Sequence, residues 1–278
     1  MGALIMRILF IGGDKRMNCA AEHFSDAARL GLGGFPAPEG KYDVIVLPLP
    51  LTKNGSEIAA PLSDKPLSFE IIEEFAEENA VIFAGGECAA LTRLCGENHF
   101  KLVNYFAAES LTLKNAALTA EAACALLSQS TDGALLGSSV LITGYGRIAR
   151  FLAERLRAFG CAVTIAARRT EQRALARLDG FLAIAPDEIN EAVGQFDYIA
   201  NAVPSALFSE REFAEMQKNA VFMELASLPE DPTRSLAENC GIKYIYASGL
   251  PGKCSPKAAG EYIAEEITEF LKVTQIPR

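Results

Sequence analysis

The stretch "SSVLITGYGRIARFLAERLRAFGCAVTIAARRT", Ser138–Thr170, decides the fold. An apolar, β-branched run stops at a glycine turn. An amphipathic helical pattern follows, and a second apolar run ends in arginines. This is the order of a βαβ unit. Gly144-Tyr145-Gly146-Arg147-Ile148-Ala149 fits G-x-G-x-x-A, a pattern that is weak alone but specific between a strand and a helix. Gly144 allows the tight turn, Gly146 lets the backbone approach a pyrophosphate, and small Ala149 lets helix and strand pack closely. The helix start, with Arg147 and Ile148, offers free N–H groups and a positive dipole end to phosphate oxygens.

Arg168 follows Ala149 by 19 residues, in the slot where an NAD enzyme places an acid for the ribose 2′-hydroxyl. An arginine cannot accept those bonds. It can donate a bidentate pair to a 2′-phosphate and stack on adenine. Arg169 stands beside it, and Thr170 adds a hydroxyl or caps a helix starting at Glu171. Two charge-assisted bonds would give about a hundredfold preference for the phosphorylated dinucleotide. The expected cofactor is NADP. The competing reading is a solvated basic loop.

Outward from this unit, further apolar strands are expected in "FDYIANAV", "AVFMELAS" and "IKYIYASG". Two of them end in "NAVP" (Asn201–Pro204) and "ELASLP" (Glu224–Pro229). Strand C-terminal ends face the ligand crevice. Asn201, Ala202, Val203, Ala226 and Ser227 are therefore expected along the cofactor, with Asn201 and Ser227 as hydrogen-bonding groups. Ordinary strand-to-helix turns would read the same.

The first half repeats the style with "MRILFIGG", "YDVIVLPLP", "NAVIFAGG" and "FKLVNY", and a helix is expected in "SFEIIEEFAEE". Continuous apolar strands between amphipathic helices imply parallel sheets covered on both faces. The expected fold class is α/β: two Rossmann-like three-layer α/β/α domains with mainly parallel sheets, joined by a long helix over Ala108–Ser130. Residues 1–128 form the expected substrate-side domain and 129–255 the NADP-binding domain. The tail 256–278 is an amphipathic helix expected to pack back on the first domain, with Ser255 as its cap and Pro256 in its first turn.

The chain has 278 residues, enough for about two domains. Half are hydrophobic, 22% are charged, and the net charge is -9. A basic nucleic-acid face is not expected. Seven cysteines, at 19, 88, 95, 124, 161, 240 and 254, form neither a disulfide framework nor a metal pattern, and read mostly as small buried apolar residues. The start "MGALIMRILFIGGD" lacks the basic region and cleavage pattern of a signal peptide, and no run is long enough for a membrane span. A cytoplasmic protein is expected, with Met1–Ile5 as an extension before the first strand.

Several motifs together resemble the dipicolinate synthase A-subunit family. They are "IGGDKR" (Ile11–Arg16), "LPLPLTKNG" (Leu47–Gly55), "SLTLKNAALTAEAA" (Ser110–Ala123), "GYGRIA", "AARRT", "NAVP", "ELAS" and above all "GLPGKCSPKAAG" (Gly249–Gly260). The resemblance runs in order over nearly the whole chain. It implies an NADP-linked oxidoreductase that converts dihydrodipicolinate to dipicolinate in spore formation, partnered by a flavoprotein-like B subunit. It also implies an architecture like that of D-2-hydroxyacid dehydrogenases and S-adenosylhomocysteine hydrolase, with the site in the cleft.

Such a substrate, a small heterocycle with two carboxylates, needs cationic or N–H partners. Lys15, Arg16 and Lys53 follow strands of the first half. Gly252, Lys253, Ser255 and Lys257 follow the last strand of the second. Lys257 opposes the dipole of its own helix, which hints at function. Lys253 and Lys257, with Glu87 after "AGG", are the candidate catalytic groups. Solvated surface charge remains the competing reading for each lysine. His23 and His99 stand away from strand C-terminal ends, so a histidine base is not expected. Two other functions stay open: a 2-hydroxyacid-type dehydrogenase acting on another acid, and a non-catalytic NADP(H)-binding subunit. The exposed faces of the long helix offer a surface for a homo-oligomer.

Overall fold

A computed structural model describes residues 6–130, 133–205, 207–226 and 232–273. Met1–Ile5, Ser227 and residues 274–278 of the expected tail helix lie outside the described residues. The chain divides into two compact units, Met1–Asn115 with Pro251–Arg278, and Ala116–Leu250. The division falls inside the long helix rather than near residue 128. Leu111 is part of the first unit's core, whereas Ala120, Ala123 and Leu127 belong to the second unit's.

In the first unit, β1 (Ile8–Ile11) leads to α1 (Lys15–Ala21), β2 (Ala28–Leu30) and β3 (Tyr42–Val46). A two-stranded antiparallel sheet of β4 (Glu57–Ile58) and β5 (Leu67–Ser68) interrupts the alternation. Then come α2 (Ile71–Phe75), β6 (Ala76–Ala84), α3 (Ala89–Glu97), β7 (Lys101–Asn104) and α4 (Glu109–Ser130). The main sheet is parallel, in the order β2-β1-β3-β6-β7. Side chains alternate between its faces as strand geometry requires. Phe10, Val44, Val46 and Phe83 pack into one core, and Leu9, Ile11, Ile45 and Ile82 into the other. The helix expected over "SFEIIEEFAEE" is short. Ala76 already pairs with Tyr42, and Asn79 adopts a left-handed φ of 63° that no helix accommodates.

The second unit runs β8 (Ser139–Thr143), α5 (Arg147–Ala158), β9 (Ala162–Ala166), α6 (Thr170–Leu178), β10 (Leu182–Ile184), α7 (Ile189–Ala192), β11 (Tyr198–Asn201), α8 (Glu210–Glu215), β12 (Val221–Glu224), α9 (Pro232–Asn239) and β13 (Lys243–Tyr246). Its sheet is also parallel, in the order β10-β9-β8-β11-β12-β13. This is the doubly wound dinucleotide order, with its switch between β8 and β11. In α5, Ala149, Leu152, Ala153 and Leu156 are buried, the stripe expected of a helix lying on a sheet. Arg155 and Arg157 in its last turn complement the dipole.

The chain returns through α10 (Leu250–Cys254) and α11 (Pro256–Val273). The residues after Gly249 in "GLPG" thus begin a short helix. In α11, Ile263, Ala264, Ile267 and Leu271 enter the first unit's core beside Phe10 and Met17. No described helix is long and apolar enough to cross a membrane. Only Cys95, Cys124 and Cys161 are fully buried, and Cys254 is exposed, so the cysteines are less uniformly internal than their composition implies. Burial pushes the Cys95 and Cys124 thiols up to about 11.

Gly260 controls the contact of α11 with α1. A Cβ there would lie 2.5 Å from the Arg16 carbonyl oxygen and 2.8 Å from the Ala20 nitrogen. Both are backbone atoms, so the helices themselves must part. Gly260→Ala is expected to cost about 1–3 kcal/mol by overpacking. A lower urea midpoint at unchanged slope is the expected readout, and an unshifted midpoint contradicts the close contact.

Candidate functional site

The glycine turn of the second unit stands at the C-terminal end of β8. Gly144 is buried with φ +78°, and a Cβ there would lie 2.7 Å from Val203 Cγ1. Only glycine takes that conformation and that spacing at no steric cost. Gly146 caps α5 in extended conformation, and a Cβ on it would meet nothing within 4 Å. Open space therefore lies before the start of a twelve-residue helix. Arg147 is exposed, Ile148 is half-buried against the core, and Ala149 is buried. Tyr145 points the other way and donates to Asp179 Oδ2 at 2.7 Å, which ties the turn to the end of α6. Its burial pushes the phenol pKa up.

A cavity of about 910 Å³ opens beside this turn, lined by Gly144, Arg168, Arg169, Arg173, Val203 and Pro204 among others. Arg168 and Arg169 are exposed on the loop after β9. Arg173 donates to the carbonyl oxygens of Ala167 and Arg168, both at 2.7 Å, and fixes that loop from below. Thr170 is the first residue of α6 rather than its cap, because Arg169 occupies the cap position. Asp187 also lines the cavity, after β10, against the three arginines. A glycine turn and an uncovered helix start beside this cavity fit the pyrophosphate of a nicotinamide dinucleotide.

Asn201 departs from expectation. It is 2% exposed, and its amide nitrogen donates to Glu224 Oε2 at 2.8 Å and Oε1 at 3.0 Å. Its amide oxygen accepts from the Thr143 hydroxyl. The side chain is thus spent on the protein's interior. Ala202 and Val203 are half-buried at the crevice, and Ala226 is buried at the end of β12.

The first unit has its own glycine turn after β1, but Gly13 N–H is taken by the Ala59 carbonyl at 2.7 Å. Residues 58–60 cover this turn: a Cβ on Gly12 would lie 2.8 Å from Ile58 Cγ2 and 3.1 Å from the Ala59 carbonyl oxygen. Arg16 is 5% exposed and is not a free cation. Its guanidinium holds Asp14 through Nε and Nη2, at 3.0 and 2.8 Å, and donates to the Leu49 carbonyl. Gly252 lies on this pair: a Cβ there would sit 2.6 Å from Asp14 Oδ2 and 2.7 Å from Arg16 Nε. Lys15, Lys253 and Lys257 are exposed, and Ser255 is half-buried. Lys257 is near enough for its charge to bear on the Cys19 thiol of α1. Lys53 lines a separate open cavity of about 380 Å³ with Asn54, Glu57 and Lys65. Glu87 is exposed after β6 and accepts from Asn104 Nδ2 at 3.2 Å.

Residues 7–106 match the N-terminal domain of the dipicolinate synthase A subunit. Residues 118–227 match the NAD binding domain of D-isomer specific 2-hydroxyacid dehydrogenase. The dipicolinate synthase A subunit of Bacillus subtilis (strain 168) is 28% identical over 288 residues, 97% of each chain. The likeness to that protein runs over nearly the whole of both chains. The crystal structure of the Bacillus subtilis A subunit superposes with a TM-score of 0.81 at 27% identity, covering 98% of this chain and 97% of the other. The corresponding crystal structure from Bacillus halodurans gives a TM-score of 0.83 at 22% identity over 98% and 99%. The second unit therefore carries a nicotinamide-dinucleotide domain of the dehydrogenase type.

Three residues lie outside the sequence expectations. Glu224 is the lone acid in an apolar strand, Thr143 ends another, and Asp14 hides inside "IGGDKR". For Glu224 and Thr143, a charged or hydroxyl residue closing a buried strand was the available signal. Gly252 is the testable one of the expected residues. Gly252→Ala must push Arg16 off Asp14 or Leu49, and is expected to cost about 1–3 kcal/mol of stability. Thermal unfolding checks it, and an unchanged midpoint would mean that the ion pair yields freely.

Proposed function

We propose that this chain oxidises dihydrodipicolinate to dipicolinate with NADP, acting with a flavoprotein-like B subunit. The observation that carries the cofactor reading is the pair Arg168 and Arg169 on the cavity beside Gly144, where an NAD enzyme would present a carboxylate. The whole-length likeness to the dipicolinate synthase A subunit supports the substrate. That relative is named as one subunit of a synthase, which supports a second subunit.

When bound, the dinucleotide supplies the hydride acceptor. The remaining work falls to side chains. Gly144 and Gly146 admit the pyrophosphate backbone to the start of α5, while Arg168 and Arg169, with Thr170 in support, hold the 2′-phosphate. Exposed Lys15 and Lys253 bind the substrate carboxylates, with Lys53 and Lys257 as further cations. Buried Arg16 and the half-buried Gly252 packed on it brace the start of α1, where Lys15 stands. Glu87 is the carboxylate that takes the ring proton as the product becomes aromatic.

The reaction is tested by mixing the chain with dihydrodipicolinate and NADP⁺, with and without the flavoprotein-like partner, and following NADPH absorbance. Formation of NADPH and dipicolinate is expected, and silence in both mixtures removes the substrate. Activity on 2-keto acids alone would instead favour a 2-hydroxyacid-type dehydrogenase. For the cofactor, Arg168→Asp is expected to lower the NADP/NAD preference at least tenfold, from the loss of charge-assisted bonds worth about 1.5–3 kcal/mol each. An unchanged ratio returns the arginines to a solvated loop.

A further inference from the structure

The ends of β8, β11 and β12 are joined by a run of hydrogen bonds that no solvent reaches. Thr143 and Glu224 are 0% exposed, and Asn201 2%. The Thr143 hydroxyl donates to Asn201 Oδ1 and accepts from Ala202 N at 3.1 Å. Asn201 Nδ2 donates to both Glu224 oxygens. Glu224 Oε1 also accepts from Ala226 N at 2.9 Å. The chain of bonds therefore grips a backbone amide at the start of each loop that leaves the sheet at the crevice, Ala202 after β11 and Ala226 after β12.

A carboxylate and an amide deep in a core are poor devices for stability, since apolar residues of equal volume serve as well or better. They are good devices for direction, because each bond is satisfied in only one arrangement. The arrangement here sets Val203, whose Cγ1 is the nearest atom to the empty Cβ position of Gly144. The distance between the glycine turn and the 202–203 loop is the width of the crevice mouth.

We infer that Thr143, Asn201 and Glu224 are positioning residues that set the width of the dinucleotide crevice and so control affinity for the nicotinamide dinucleotide without touching its 2′ position. This rests on the reading of the second unit as a dinucleotide site. Asn201 Nδ2 also donates to the Val203 carbonyl at 3.2 Å, so reversing the pair remakes the 201–224 bonds but not that one. In Asn201→Asp/Glu224→Gln, the new amide donates back to the new carboxylate, and its oxygen still accepts from Ala226 N.

The test is a titration of the full chain with NADPH and with NADH, read by nicotinamide fluorescence, with thermal midpoints measured in parallel. Glu224→Gln and Asn201→Asp are each expected to raise the Kd for both dinucleotides tenfold or more, by the same factor, so their ratio stays at the wild-type value. The reversed double variant, which remakes the 201–224 bonds but not the one to Val203, is expected to bind both dinucleotides more tightly than either single variant. Thr143→Val, a milder change, is expected to raise both Kd values about threefold or more, and it decides the matter should the single variants not fold. Single variants that bind like wild type overturn the inference. So does a reversed pair that binds no better than the single variants although its midpoint recovers, or a change in the NADPH/NADH ratio. A wild-type chain that binds neither dinucleotide overturns the site reading itself, and the inference with it.

Discussion

Gly144 lies against Val203 because it has no Cβ, and the site depends on that contact. β8 and β11 are neighbours whose chains leave in opposite directions, since the sheet continues to β9 on one side and β12 on the other. Their loops therefore diverge from one point and leave a crevice at the strand ends. A left-handed residue at the end of β8 turns the chain at once into α5, so that the helix start faces the crevice. Any side chain at 144 would meet Val203 and would also strain the turn.

The first unit starts from the same strand–glycine–helix design and ends differently. Its strand order also switches beside β1, and its turn also carries left-handed glycines. Yet the turn's amide is bonded to Ala59, and the cation that follows is buried in an ion pair with Asp14. One fold thus serves as an open crevice in one unit and as a filled, braced platform in the other. What differs is what the intervening chain lays across the turn. In the first unit that is the 58–60 segment, and in the second nothing described covers Gly146.

The dinucleotide turn was legible because its requirements are local. A strand, two glycines and an amphipathic helix at fixed spacing leave little choice, and the position of Arg168 follows by counting. Two parallel sheets were legible too, since strands buried on both faces must be apolar throughout. The short elements β2, β4, β5 and β10 were not, because two or three residues show no period. Nor was the conversion of "AEE" from helix to strand, where pairing with β3 outweighs helix propensity.

Residue types and spacing alone determined the fold class, the glycine turn and the basic slot at 168–169, all of which depend on neighbours in sequence. Only the tertiary structure decided which polar groups remain available. Arg16 and Asn201 look alike in sequence to Lys15 and Ser205: polar residues at strand ends. Folding brings Asp14 and Leu49 to the one and Glu224 and Thr143 to the other. A buried polar group must find a partner, and those partners come from 2 to 58 positions away. No pattern along the chain records that distance.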